Sequence, residues 1–245
     1  MKVEAMFFDY DGTLSPINVG REEAQIPSPL KRMLDNLSKI TLIGIVTTKD
    51  YGFISTRAHF AQVLACIGGL EILSKKDGEY KTFYSYGKSK SQKLENLCQE
   101  ITSNLFFVEE KRLSTGEVVG LCFDWRKQKG LSNILDNALE DLKKKASERS
   151  LYLVQDKNMP FIDVYISKIN KGMALKRISE LFSLNLTSCV YFGDSQIDNS
   201  AFRKVGLSIG ILHAENKNLK LECKKLVKFD DLTGFLEEFI TSIDA

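Results

Sequence analysis

Phe7-Phe8-Asp9-Tyr10-Asp11-Gly12-Thr13-Leu14 lies near the N-terminus, and its reading decides how the rest of the chain is understood. Val3, Met6, Phe7 and Phe8 have the pattern of a short buried strand that stops abruptly at Asp9. Two carboxylates, Asp9 and Asp11, stand one residue apart, and Gly12 supplies a tight turn directly behind them. Like charges crowded at the end of an apolar strand are costly unless something neutralises them. A divalent cation such as Mg²⁺ does so, because it takes hard oxygen ligands. The same pair leaves one carboxylate oxygen to attack phosphorus and the other group to move a proton. The competing reading is an Asp-rich turn that caps a helix or solvates a loop. The remainder of the chain has to separate the two.

At 245 residues the chain suits one large domain, or a core domain with a smaller insertion. Hydrophobic residues make up 43% and charged residues 27%, as in ordinary globular proteins. The net charge of +2 gives no push toward nucleic acid or membrane. No apolar run approaches the length needed to span a bilayer. The N-terminus opens directly into a strand, so no signal peptide is expected. Five scattered cysteines, Cys66, Cys98, Cys122, Cys189 and Cys223, form no C-x-x-C pair. That argues against a disulfide framework or a zinc site, and a cytoplasmic location is expected.

After the Asp pair, residues 15–26 read as a polar, irregular connection. Ser28-Pro29 predicts a helix N-cap followed by Pro at the first helical position, with Leu30, Met33, Leu34 and Leu37 at helical spacing. Thr41-Leu42-Ile43-Gly44-Ile45-Val46 is a near-continuous apolar run, as in a parallel strand covered on both faces. It ends at Thr47-Thr48-Lys49-Asp50, and a helix is expected near Asp50. This β-α-β start predicts a doubly wound sheet, in which Thr47 could meet Asp9 at the carboxyl ends of neighbouring strands. A further strand over 63–67 is followed by Gly68-Gly69. Strands over 70–73 and 80–83 flank a hairpin turn at Lys76-Asp77-Gly78-Glu79.

Gly87 marks a change of character. From about residue 84 to 165 the order becomes helix, two strands, helix, two strands. The predicted elements are a helix over 91–101, strands over 105–110 and 118–125, a helix over 131–146, and strands over 151–155 and 161–166. The last pair is joined around Asn158-Met159-Pro160. Two α-β-β units predict an antiparallel sheet with helices on one face, a module separate from the parallel sheet.

Asn170-Lys171-Gly172 then opens a helix with a core face of Leu175, Ile178, Leu181 and Phe182. A lysine there opposes the helix dipole unless an anion or carboxylate cluster faces it. Cys189-Val190-Tyr191-Phe192 is the next buried strand and ends at Gly193-Asp194-Ser195-Gln196-Ile197-Asp198. Two carboxylates four apart at a strand end again suggest a metal. Late strands over 206–211 and 226–229 and a closing helix over 232–240 complete the chain. His59 and His213 carry no partner signature and receive no role.

Asp9-Tyr10-Asp11-Gly12-Thr13-Leu14 resembles the first motif of the haloacid dehalogenase superfamily phosphatases. Thr47 resembles that family's second motif, Asn170-Lys171-Gly172 the third, and Gly193-Asp194 with Asp198 the fourth. The motifs stand in the family's order, and the resemblance spans the whole chain. It implies an α/β fold, a doubly wound, Rossmann-like parallel-sheet core over 1–83 and 166–245 with an inserted α+β cap over 84–165. Such a cap is the mark of the sugar-phosphatase branch, which includes trehalose-6-phosphate, sucrose-phosphate and mannosyl-3-phosphoglycerate phosphatases.

The resemblance further implies that Asp9 is the nucleophile that becomes an aspartyl-phosphate and Asp11 the general acid/base. Thr47 and Lys171 would hold phosphoryl oxygens. Mg²⁺ would be held by Asp9, the Asp11 carbonyl and Asp194, with Asp198 binding it or orienting a coordinated water and holding Lys171. The usual second motif reads Val-Thr-Gly-Arg, whereas this chain has Val46-Thr47-Thr48-Lys49, so the contacts of that Arg are open. Thr48 and Lys49 are nonetheless candidates for substrate binding. Within the cap, Lys111, Arg112, Trp125 and Arg126 are candidates to reach the sugar. Glu110-Lys111-Arg112 and Phe161-Ile162-Asp163 look most like the trehalose-6-phosphate phosphatase pattern. The expected partner is a small phosphorylated molecule. Another phosphorylated substrate and a non-catalytic sugar-phosphate-binding module stay open, as does the oligomeric state.

Overall fold

A computed structural model describes residues 3–17, 19–86, 91–101, 104–128, 132–155 and 159–244. Two compact units emerge, one formed by Met1–Lys49, Phe53–Tyr84 and Asn170–Ala245, the other by Asp50–Gly52 and Ser85–Ile169. The elements up to the first crossing are β1 (Ala5–Phe8), α1 (Ser28–Leu37), β2 (Leu42–Val46), α2 (Tyr51–Ile54), β3 (Val63–Cys66), β4 (Glu71–Lys76) and β5 (Glu79–Ser85). The second unit holds α3 (Ser91–Glu100), β6 (Phe107–Arg112), β7 (Val118–Asp124), α4 (Ser132–Glu148), β8 (Tyr152–Val154) and β9 (Phe161–Tyr165). The chain returns with α5 (Lys171–Phe182), β10 (Cys189–Gly193), α6 (Asn199–Phe202), β11 (Leu207–Leu212), β12 (Lys225–Lys228) and α7 (Leu232–Asp244).

The first unit is built on an eight-stranded sheet in the order β12-β11-β10-β1-β2-β3-β4-β5. From β12 through β3 every pairing is parallel, and β4 runs antiparallel to β3. The central strands are apolar throughout because both sheet faces are covered. Phe7, Val46, Ala65 and Tyr191 pack with Ala174, Leu175 and Ile178 of α5. On the other face Phe8 stacks on Phe192, which meets Phe235 of α7 edge-on. β1 lies between β2 and β10, so connections leave it toward opposite edges of the sheet. Open α/β sheets bind ligands at such a point, outside the carboxyl ends of the strands.

The second unit carries a four-stranded antiparallel sheet in the order β6-β7-β9-β8. Val119, Leu121 and Phe123 of β7 and Ile162 and Val164 of β9 form its apolar face, buried with Leu94, Leu97 and Leu142 of the helices. The alternate positions, Gly120 and Cys122 opposite Tyr165 and Asp163, make the other face.

Some boundaries differ from the sequence reading for identifiable reasons. Pro27, extended at φ −52° and ψ 136°, occupies the N-cap of α1, so Ser28 is already helical and caps nothing. The helix expected at Asp50 is the single turn α2. β3 stops at Cys66 because Ile67, at φ 51°, turns the chain into the left-handed region. β6 begins later than expected, since its register is set by pairing with β7 from Phe107↔Asp124 onward. Gly87 and Asn158 fall outside the described residues.

Candidate active site

The ends of three adjacent strands deliver the acidic and polar groups. β1 and β10 pair with Phe8 opposite Phe192, and the Asp9 N–H donates to the Phe192 carbonyl at 2.9 Å. Asp9 and Asp194, each one residue beyond its strand, therefore emerge side by side. Thr47 follows β2, where it is buried, and its hydroxyl accepts from the Lys49 N–H at 3.1 Å. Lys171 is the first residue of α5, whose N-cap Asn170 accepts from the Met173 N–H.

Lys171 is the hub. Only 1% exposed, it places Nζ 2.9 Å from Asp9 Oδ2 and 2.6 Å from Asp198 Oδ1. These two carboxylates remove the dipole objection to a cation at a helix start. Asp198 is saturated with donors. Tyr191 Oη joins Lys171 at Oδ1 at 2.6 Å, while Oδ2 accepts from the Asp194 and Ser195 N–H groups and the Ser195 hydroxyl. Gly193 is required for this fold-under, because a Cβ there would stand 2.5 Å from Asp198 Cγ. Gly12, at φ +73°, is equally constrained, since its Cβ would lie 2.3 Å from Asp194 Oδ2.

Carboxylate oxygens of Asp9, Asp194 and Asp198 lie within 4.8 Å of one another. Burial pushes the Asp9 carboxyl well above the carboxylate range; Lys171 opposes this, and Asp198 and Asp194 add to it. Burial likewise raises Asp194, against the pull of His213. For Lys171, burial works against the ammonium, but Asp198 and Asp9 outweigh it and hold it above the usual lysine range. Three carboxyl groups are thus gathered around one ammonium. An all-oxygen, electron-rich donor set of this kind fits Mg²⁺.

Asp11 is less buried and meets Lys49, with Nζ 3.2 Å from Oδ2. Lys49 also lies over the Phe53 ring at 5.0 Å, and Thr48 is partly buried. The four candidates in the second unit do not form one group. Lys111 is 6% exposed, with Nζ 3.0 Å from both Asp163 Oδ1 and Tyr165 Oη. Arg112 is exposed and pairs with Glu110. Trp125 packs edge-on against Phe106, and Arg126 pairs with Asp124 at 2.7 Å. The β6–β7 register puts Lys111 opposite Gly120, whereas Trp125 and Arg126 follow Asp124 at the other end of that hairpin.

His213, left without a role by the sequence, places Nε2 2.8 Å from Asp194 Oδ2 and Nδ1 3.0 Å from Glu215 Oε2. Asn216 donates to the Asp194 carbonyl at 2.8 Å. No local motif announces either contact, because Asp194 is 19 positions from His213 and 22 from Asn216. All five cysteines are free thiols. Among the described residues, no helix is long and apolar enough to cross a membrane.

This geometry can be set beside known proteins. Probable trehalose-phosphate phosphatase J of Arabidopsis thaliana is 28% identical over 233 residues, covering 84% of this chain. The chain spans 59% of that relative's length. The C-terminal domain of trehalose-6-phosphate phosphatase from C. albicans shares the fold with a TM-score of 0.72 at 19% identity, covering 97% of this chain and 92% of that one. A haloacid dehalogenase-like hydrolase from Bacteroides thetaiotaomicron does so at 0.71 and 12% identity, covering 97% and 100%. The family model described as haloacid dehalogenase-like hydrolase matches residues 79–239, a span that contains Lys171, Asp194 and Asp198 and begins after Asp9, Asp11 and Thr47. The chain belongs to the haloacid dehalogenase-like hydrolases.

Proposed function

We propose that the protein is a Mg²⁺-dependent phosphatase that cleaves a phosphate monoester through an aspartyl-phosphate on Asp9. The observation that carries this reading is the buried cluster of Asp9, Asp194 and Asp198 at the sheet's switch point, with Asp9 and Asp198 both paired to Lys171. Asp9 and Asp194 would hold the cation together with the Asp11 carbonyl. The saturated Asp198 carboxylate instead fixes Lys171. When bound, Mg²⁺ supplies positive charge that lets an anionic phosphate approach an anionic nucleophile.

The steps then belong to the chain's own groups. An Asp9 carboxylate oxygen bonds to phosphorus as the ester P–O bond breaks, and Asp11 gives its proton to the leaving oxygen. Asp11 next takes a proton from water, whose oxygen attacks phosphorus and releases Asp9 and inorganic phosphate. Lys171 holds phosphoryl oxygens through charge and Thr47 through its hydroxyl. Lys49, 3.2 Å from Asp11, orients the acid/base group.

The substrate we favour is a sugar phosphate such as trehalose-6-phosphate, supported by the trehalose-phosphate phosphatase names among the relatives and the family's sugar-phosphatase neighbours. The test is phosphate release from p-nitrophenyl phosphate with and without Mg²⁺, on wild type and Asp9→Asn, followed by a sugar-phosphate panel. Mg²⁺-dependent release that vanishes in Asp9→Asn supports the reading. Silence of the wild type across the whole panel overturns it in favour of a binding module.

A further inference from the structure

The turn after β11 grips Asp194 at two points. His213 Nε2 lies 2.8 Å from the carboxylate Oδ2, and Asn216 Nδ2 donates to the Asp194 main-chain carbonyl at 2.8 Å. The turn is itself tied together, because Asn216 Oδ1 accepts from the His213 N–H at 3.0 Å and Asn216 Nδ2 also reaches the Ile211 carbonyl at 2.7 Å. Glu215 fixes the ring from its other side at 3.0 Å. The His213 side chain is 9% exposed. A Cβ on Gly12 would stand 2.3 Å from Asp194 Oδ2 and 3.0 Å from His213 Nε2, so the contact is packed directly against the turn that carries Asp9 and Asp11.

His213 lies outside the group of three carboxylates whose ligand atoms converge within 4.8 Å. It reaches that group through Asp194. Carboxylates that ligate metals are commonly held by outer hydrogen-bond partners that fix their orientation, and loss of such a partner typically weakens metal binding. A ring held between a rigid turn and an acidic side chain can fix a carboxylate in this way.

We infer that His213, anchored by Glu215, is a positioning residue that holds the Asp194 carboxylate in its ligating orientation and thereby sets the affinity of the divalent cation. The inference rests on the proposed metal-dependent function, and its test separates the two. Mn²⁺ serves as a paramagnetic probe, and its binding to the intact protein is measured by electron paramagnetic resonance at fixed pH. The proteins compared are wild type, Asp194→Asn, His213→Ala, His213→Leu and His213→Gln.

The expected result is that His213→Ala and His213→Leu weaken Mn²⁺ binding by about tenfold. His213→Gln, which returns one N–H donor to Asp194, recovers most of the loss. In phosphate release, the half-saturating Mg²⁺ concentration rises in His213→Ala while kcat at saturating Mg²⁺ stays within about threefold of wild type. A purely structural role would give neither the rescue nor that split. Binding as tight as wild type, or tighter, in whichever of His213→Ala and His213→Leu is folded by circular dichroism overturns the inference, provided Asp194→Asn loses the metal. If wild type binds no Mn²⁺, or Asp194→Asn binds it equally well, the metal reading itself falls and the inference with it.

Discussion

Among the described residues two lysines are buried, and each is met by carboxylate, yet they differ in how many carboxyl groups surround the ammonium. Lys171 in the first unit faces Asp9 and Asp198, with Asp194 beside them. Lys111 in the second unit faces Asp163, with Tyr165 donating to Asp163 Oδ2 at 3.1 Å. Around Lys111 one positive and one negative group offset each other. Burial works against the Lys111 ammonium, but Asp163, Tyr165 and Cys122 hold it well above the lysine range. Around Lys171 three carboxyl groups crowd about one ammonium, two of them in direct contact with it. Buried charge thus takes two forms here, a one-to-one pair within a sheet face and a cluster in which carboxyl groups outnumber the ammonium.

The largest effect that would break this comparison is on turnover. Asp9→Asn should lower phosphate release by about 10³-fold or more, as removal of a nucleophile does. The same change removes one crowded charge, so the thermal midpoint should hold or rise. Substantial residual activity would deny Asp9 its role. In the second unit the large effect should be on stability. Lys111→Met leaves Asp163 buried and unpaired and should destabilise by about 3–5 kcal/mol in urea titration. The double variant Lys111→Met/Asp163→Leu should recover most of that loss, and no recovery would mean the pair is not self-contained.

The next effect in size separates the clusters by metal. Mg²⁺ at about a hundred times its dissociation constant should stabilise wild type by about 2.7 kcal/mol, reversed by chelation. Lys111→Met should gain the same increment, and Asp194→Asn should gain none. An equal gain in Asp194→Asn would place the cation elsewhere. The smallest effect concerns Lys49 and Asp11, both about a quarter exposed. Lys49→Ala should cost less than about 1 kcal/mol of stability, as exposed ion pairs do. It should still slow turnover measurably through the orientation of Asp11. Unaltered turnover would show that the Lys in place of the family's Arg is idle.

The centre of the parallel sheet was legible because β1, β2 and β10 are apolar runs that give way to polar groups at their carboxyl ends, as Phe8 does before Asp9, Val46 before Thr47 and Phe192 before Gly193-Asp194. That pattern is local, and it also located Lys171 at a helix start. Lys111, by contrast, reads in the sequence as a candidate to reach the sugar, and the β6-β7-β9 order is what buries it beside Asp163. His213 carried no signal at all, since its partner Asp194 comes from another strand end.

From the amino-acid order alone came the fold class and the placement of Asp9, Thr47 and Asp194 at strand ends and Lys171 at a helix start, because strand periodicity and strand-end punctuation are short-range properties. Only the tertiary structure decided which carboxylate is saturated, which lysine is balanced and which histidine grips Asp194. Those properties depend on burial and on groups brought together across the sheet, and the energy of a charge is set by neighbours that the linear chain does not reveal.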